Sequence, residues 1–134
     1  MPKIAAVILF AFFISGACGS GSDVPREEWL RRLQNAIRSK TESRETNLRN
    51  SRTLEQALDQ DALKNMMRFQ VKKELGSGQS CGRHPECLDL GFQADDLYYA
   101  VGEGDETKIG KRPVLIVGFD QKGNVIRVWN LRIH

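Results

Sequence analysis

A chain of 134 residues with 40% hydrophobic and 28% charged residues has room for one core and not for two. Its 20 basic and 17 acidic side chains leave a formal charge of +3, without the dense basic stripe of a nucleic-acid binder, so no nucleic acid is expected as a partner. Twelve Gly, four Pro and no single-residue tract exclude a collagen-like chain and a wholly disordered one.

Lys3 precedes Ile4-Ala5-Ala6-Val7-Ile8-Leu9-Phe10-Ala11-Phe12-Phe13-Ile14, an uncharged apolar run followed by the small residues Ser15, Gly16 and Ala17. A membrane-spanning helix needs about 20 apolar residues, and this run is roughly half of that. The layout predicts a signal peptide over residues 1–17, with a buried N-terminal helix as the alternative. Ser15-Gly16-Ala17-Cys18 resembles a bacterial lipobox, with Ser15 where Leu is usual, and ordinary signal-peptidase cleavage at a small-x-small site is its second reading. Residues 18–23, with Gly19-Ser20-Gly21-Ser22, form a flexible tether. Acyl chains on Cys18 would hold the protein at a membrane, each buried CH₂ contributing about 0.8 kcal/mol. Gly19 and not Asp stands directly after Cys18, which points to an outer-membrane address in a Gram-negative cell, the alternative being a soluble secreted protein.

Pro25, Glu27 and Glu28 suit a first helical turn, and Trp29, Leu30, Leu33, Ala36 and Ile37 share one helical face, predicting a helix over residues 25–40. Residues 39–52 carry six charges and one apolar side chain, Leu48, and read as a solvated helix or a loose linker. Thr53 with Gln56 has the form of a capping box, Asp61 offers a second cap, and Leu63, Met66, Met67, Val71 and Leu75 continue a helical stripe. A helix over residues 53–75 is predicted, kinked near residues 59–61 and closed by Lys72, Lys73 and Gly76, with the two methionines as core filler.

Cys81 and Cys87 enclose Gly82-Arg83-His84-Pro85-Glu86, a turn-forming loop that brings them within disulfide range. In an exported chain with three cysteines, lipidation of Cys18 leaves this pair to oxidise. His84 between the thiols raises a metal site, but three donors within seven residues leave a tetrahedron's fourth ligand unassigned, so a disulfide beside a solvated histidine is expected, with no metal.

Leu97-Tyr98-Tyr99-Ala100-Val101, the run from Val114 through Phe119, and the run from Val125 through Leu131 are β-rich, and Asp120-Gln121-Lys122-Gly123 is a hairpin connection. A short helix over residues 94–101 is the rival to the first of these strands. The nearly all-apolar middle strand reads as central, and the last as a half-exposed edge. Gly102-Glu103-Gly104-Asp105 lacks the spacing and following helix of a phosphate cradle, and Asp95-Asp96 and Asp105-Glu106 read as solvated turn residues. Residues 24–134 are thus expected to form one α+β domain, helical over 24–75, with a disulfide loop and a three-stranded antiparallel β-meander over 76–134.

The lipobox, the helix closing on Leu75-Gly76, the Tyr98-Tyr99 strand, and Leu115-x-Val117-x-Phe119 with Asp120 and a turn glycine before Val125 together resemble the SmpA/OmlA-like small outer-membrane lipoproteins. The likeness spans residues 61–131. The family's glycine-Met-Thr start is missing, tyrosines stand where its strand has tryptophan, and the two-cysteine segment is inserted. The resemblance implies helices on one face of a three-stranded sheet, no cofactor, no catalysis, and work done by contact with membrane proteins or lipid. A second resemblance, of Pro113-Val114-Leu115-Ile116-Val117-Gly118-Phe119 to a papain-like peptidase strand with Cys81 upstream, places Arg112 where the histidine base belongs, and a guanidinium is no base at ordinary pH. His84 and His134 are the remaining candidates for that role.

The expected function is that of a non-enzymatic, lipid-anchored envelope protein acting on an unidentified envelope partner, in outer-membrane assembly or maintenance. Arg83, His84, Tyr98 and Tyr99 are its candidate contact residues. The alternative is a secreted inhibitor or immunity-type protein that plugs an enzyme's cleft with the Cys81–Cys87 loop, where a rigid loop lowers the entropic cost of binding.

Overall fold

The computed structural model describes residues 24–131; the predicted signal peptide, the tether with Cys18, and residues 132–134, with His134, lie outside them. Helix α1 (Arg26–Arg38) has Glu27 and Glu28 in its first turn, where the helix dipole favours acids, and buries Trp29, Leu30, Leu33 and Ala36. It matches the first predicted helix within two residues at either end.

Helix α2 (Arg44–Asp59) runs through the segment predicted as a solvated helix or linker. Ser43 starts it, its hydroxyl oxygen accepting from the Thr46 amide at 3.1 Å. The cap predicted at Thr53 is not made, because Thr53 lies inside the helix and its hydroxyl donates back to the Arg49 carbonyl. Solvation is only partial, since Asn47 and Asn50 are buried. The Asn47 amide donates to the carbonyls of Ile109 (3.2 Å) and Lys111 (2.9 Å), and the Asn50 amide donates to the hydroxyls of Ser39 (2.9 Å) and Thr41 (3.1 Å). Two asparagines that read as solvent-facing instead hold other segments of the chain by hydrogen bonds.

The predicted long helix breaks outright. Asp61 and Asn65 adopt φ of 54° and 63°, a left-handed conformation that Asp and Asn tolerate better than most residues, and a separate helix α3 (Arg68–Leu75) follows. Asp61 is therefore a turn residue and caps nothing. Met66 fills the core, whereas Met67 is exposed at the start of α3. Gly76, at φ 92°, ends α3 as expected.

The sheet has four strands, one more than predicted: β1 (Gln79–Ser80), β2 (Leu97–Ala100), β3 (Val114–Phe119) and β4 (Val125–Leu131), in that order and all antiparallel. Strand β1 pairs Gln79 with Tyr98 and Ser80 with Leu97. With two residues, both exposed, it carries no alternation a sequence pattern could reveal. The strand reading near residue 97 holds, and Gly123, at φ 84°, closes the β3–β4 turn. All six residues of β3 are buried. Leu97, Tyr99, Leu115, Val117 and Phe119 pack against the helices, while Val114 and Ile116 face the other way, into a second cluster with Phe92, Cys81 and Cys87.

The helices are tied to the far end of the sheet through residues 39–41. Thr41 donates its amide to Glu103 (2.6 Å), and the amides of Gly102 and Glu103 donate to Ile37 (3.1 Å) and Ser39 (2.8 Å). A Cβ on Gly104 would collide with the Thr41 carbonyl oxygen and crowd Ile109 at 2.9 Å. Gly104→Ala is accordingly expected to cost about 1–3 kcal/mol, because backbone must move to admit the methyl group. Thermal unfolding reads this, and an unchanged midpoint would refute the close approach.

Candidate functional site

The outer face of the sheet, turned away from the helices, is where the predicted contact residues meet. A single 3₁₀ turn (Cys81–Arg83) leads into a short helix, α4 (Pro85–Asp89), with Pro85 at its first position, where no amide hydrogen is needed. Cys81 and Cys87 are joined as a disulfide, with Cα atoms 5.5 Å apart, and both are fully buried. The segment is stitched to the rest of the chain by the Cys81 amide donating to Asp96 and the Gly82 amide to Ala94, each at 2.9 Å. Beyond it, Phe92 lies on Gly118, and the Arg127 guanidinium sits 3.9 Å from the Phe92 ring centroid while donating to the Leu90 carbonyl.

His84 is not solvated as expected. Its ring stacks on Tyr98 with centroids 3.6 Å apart and planes 8° from parallel, and its Nε2 lies 2.6 Å from Gln79 Oε1. Next to this stack the face opens into a groove of about 600 Å³. Its floor is Tyr98, Val114, Ile116 and Trp129, in the register that pairs Ile116 with both Tyr98 and Trp129. One wall is Glu86, Asp89 and Leu90. The opposite wall is Glu106, from the four-residue helix α5 (Glu106–Ile109), with Lys111 and Arg112. Arg112 is held by Glu106 (3.4 Å) and by the Gly102 carbonyl (3.3 Å). The Tyr98 phenol is pushed above its ordinary pKa, first by burial and then by Glu86 and Glu106, with Arg112 acting in the opposite sense.

Of the predicted residues, Arg83 is exposed on the 3₁₀ turn, while His84 and Tyr98 are half-buried at the edge of the groove. Tyr99 is corrected. It points into the helical core, its hydroxyl donating to the Gly76 carbonyl at 2.8 Å, and so it offers nothing to a partner. Alternation makes this unavoidable, because neighbouring strand residues face opposite sides. Asp96 is also corrected, from solvated turn residue to buried anchor: its carboxylate accepts the amides of Gln93 (2.7 Å) and Phe119 (3.1 Å). A helix does follow the Gly102–Gly104 loop, but it is α5, one turn long, and Asp105 occupies its N-terminus by accepting from the Thr107 amide at 3.0 Å.

With its sulfur bonded to Cys87, Cys81 presents no thiolate, which removes the nucleophile from the peptidase-like reading. The same bond occupies two of the three donors of the suggested metal site, and the His84 ring is engaged by Tyr98 and Gln79. Sequence reasoning missed the groove walls, Glu86, Asp89, Glu106 and Lys111, and its floor residue Trp129. The available signal was the period-two pattern of Val114, Ile116 and Trp129 once the β3–β4 hairpin is drawn.

Comparison with protein-family models, with curated proteins and with solved structures finds no match. What the site does is therefore argued from its own geometry.

Tyr99 and the disulfide each give a measurable consequence. Burial pushes the Tyr99 phenol up to about 12 from an ordinary 10.0. An acid with a raised folded pKa keeps its proton in the native state after the unfolded chain has lost it. Its contribution to stability is thus full below about pH 10 and is lost as pH rises from there through about 12. Denaturant unfolding should show that decline, made shallower in Tyr99→Phe, and a decline of the same size in that variant would contradict it. Replacing Cys81 and Cys87 together by Ser should cost about 2 kcal/mol for so short a loop. Amide exchange at Gly82 and Phe92 should then accelerate more than exchange within β3; uniform acceleration would mean the segment is not held locally by the disulfide.

Proposed function

We propose that this protein is an exported, lipid-anchored, non-enzymatic envelope protein that works by protein–protein contact through the outer face of its sheet. The supporting observation is the groove itself. The helices pack over one face, the disulfide-stapled segment covers only part of the other, and the uncovered part carries two aromatic side chains, Tyr98 and Trp129, within a rim of charged residues. Half-buried aromatics in a polar rim are the composition that concentrates binding energy at protein interfaces. The leader, Cys18 and the Gly/Ser tether supply export and anchoring in this reading, and the SmpA/OmlA-like order of helices before a meander extends it to outer-membrane assembly or maintenance.

A second reading, an inhibitor or immunity-type protein, takes the stapled segment as the contact, because Arg83 and Leu88 are exposed on it. Site-specific photo-crosslinking in the native envelope separates the two. A photoreactive residue at Asp89 or Lys111, on the groove walls, should capture one envelope protein, while one at Arg83 or at Gln34 on α1 should not. Capture from Arg83 alone favours the inhibitor reading, and capture from Gln34 alone moves the contact to the helical layer. Mass spectrometry of the mature N-terminus tests the anchor separately: an unmodified Cys18 removes it.

A further inference from the structure

Resting on that reading, we infer that the groove over Tyr98 and Trp129 accepts a basic side chain, an arginine or lysine flanked by apolar residues, from the partner segment that docks there. Tyr98 and Trp129 line the groove with aromatic rings, the side-chain type that attracts a cation, and Leu90, Val114 and Ile116 line it with aliphatic surface for the stem that carries one. The charge around the floor is unevenly placed. On one wall Arg112 and Glu106 neutralise each other, with the guanidinium further bound to the Gly102 carbonyl. On the α4 wall Glu86 and Asp89 are both exposed, and the one ion pair that either makes among the described residues is that of Glu86 with His84, at 3.7 Å and charged only when the histidine is protonated. Lys111 stands on the opposite wall. A docked cation therefore meets uncompensated carboxylates at the α4 end of the aromatic floor.

The sign of the groove is not inherited from the chain, whose formal charge is +3. The Arg127 guanidinium stacked on Phe92, on the same face of the sheet, shows the same contact made within the chain. An acidic or phosphorylated partner segment would place its charge against Glu86 and Asp89 and is disfavoured by the same arrangement.

The test uses the processed, disulfide-intact protein and acetylated, amidated pentapeptides Ala-Leu-X-Leu-Ala, with X as arginine, lysine, glutamine or glutamate. Binding is read from the Trp129 indole resonance. The arginine and lysine peptides should bind about tenfold more tightly than the glutamine peptide, and the glutamate peptide more weakly still. In a Glu86→Gln, Asp89→Gln double variant that preference should vanish while the weaker binding of the glutamine peptide remains; both positions are exposed, so the variant's unfolding midpoint should match the parent's. Equal affinity for all four peptides, a preference that survives the double variant, or no shift of Trp129 with any peptide overturns the inference. The photo-crosslinks from Asp89 and Lys111 are a separate readout, so the contact surface can stand while the charge preference falls.

Discussion

Strand β3 is buried on both faces, and the layers on either side of it follow from that constraint. Burying a valine, leucine or isoleucine side chain is worth about 1.5–3 kcal/mol, and a strand with such residues at every position gains that only if each face is covered. Three helices cover one face with Leu33, Leu54, Val71 and Leu75. The other is covered in part by residues 81–92, which carry the short helix α4 and fold over it with Phe92 and the two cysteines. So short a segment cannot fill a core by itself, and the disulfide limits the freedom it would otherwise have when unfolded. It also fails to reach the whole face. The groove beside Trp129 is what its length leaves uncovered.

The apolar layers are registered to one another by a few buried polar groups. Asn47 reaches the backbone on both sides of Gly110, Asn50 gathers Ser39 and Thr41, and Asp96 holds the amides of Gln93 and Phe119. Apolar packing is indifferent to small slides, whereas a buried amide or carboxylate with fixed partners is not, because a lost partner leaves a desolvated group unpaired. These three residues hold the loops at both ends of the sheet, including the one that carries Glu106, Lys111 and Arg112 to the groove. The groove's shape thus depends on contacts made by α2 on the opposite side of the sheet.

Aromatic rings and cations are paired on both sides of the sheet. Arg127 lies on Phe92, Arg68 on Phe119 at 4.5 Å and Arg32 on Trp29 at 4.8 Å, each closing the edge of an apolar cluster with a solvated charge. Tyr98 is covered by His84 on one side. Trp129, which lines the groove together with Tyr98, has no such cover among the described residues.

What the sequence determined by itself is local. The first helix, the stop at Gly76, the hairpin glycine, the all-apolar central strand and the pairing of Cys81 with Cys87 each follow from spacing or from one residue's conformational preference, which nearby residues decide without reference to the rest of the chain. The α+β class followed from their order. Tertiary structure decided what depends on partners far along the chain: that Asn47, Asn50 and Asp96 are buried, that residues 79–80 pair as a fourth strand, that the long helix breaks at Asp61 and Asn65, and that Tyr98 and Tyr99 part to opposite faces with only Tyr98 near a surface. A polar residue looks the same in a sequence whether water or a carbonyl many residues away satisfies it. Only the packed sheet, with helices over one face and the stapled segment over part of the other, distinguishes the two and creates the groove.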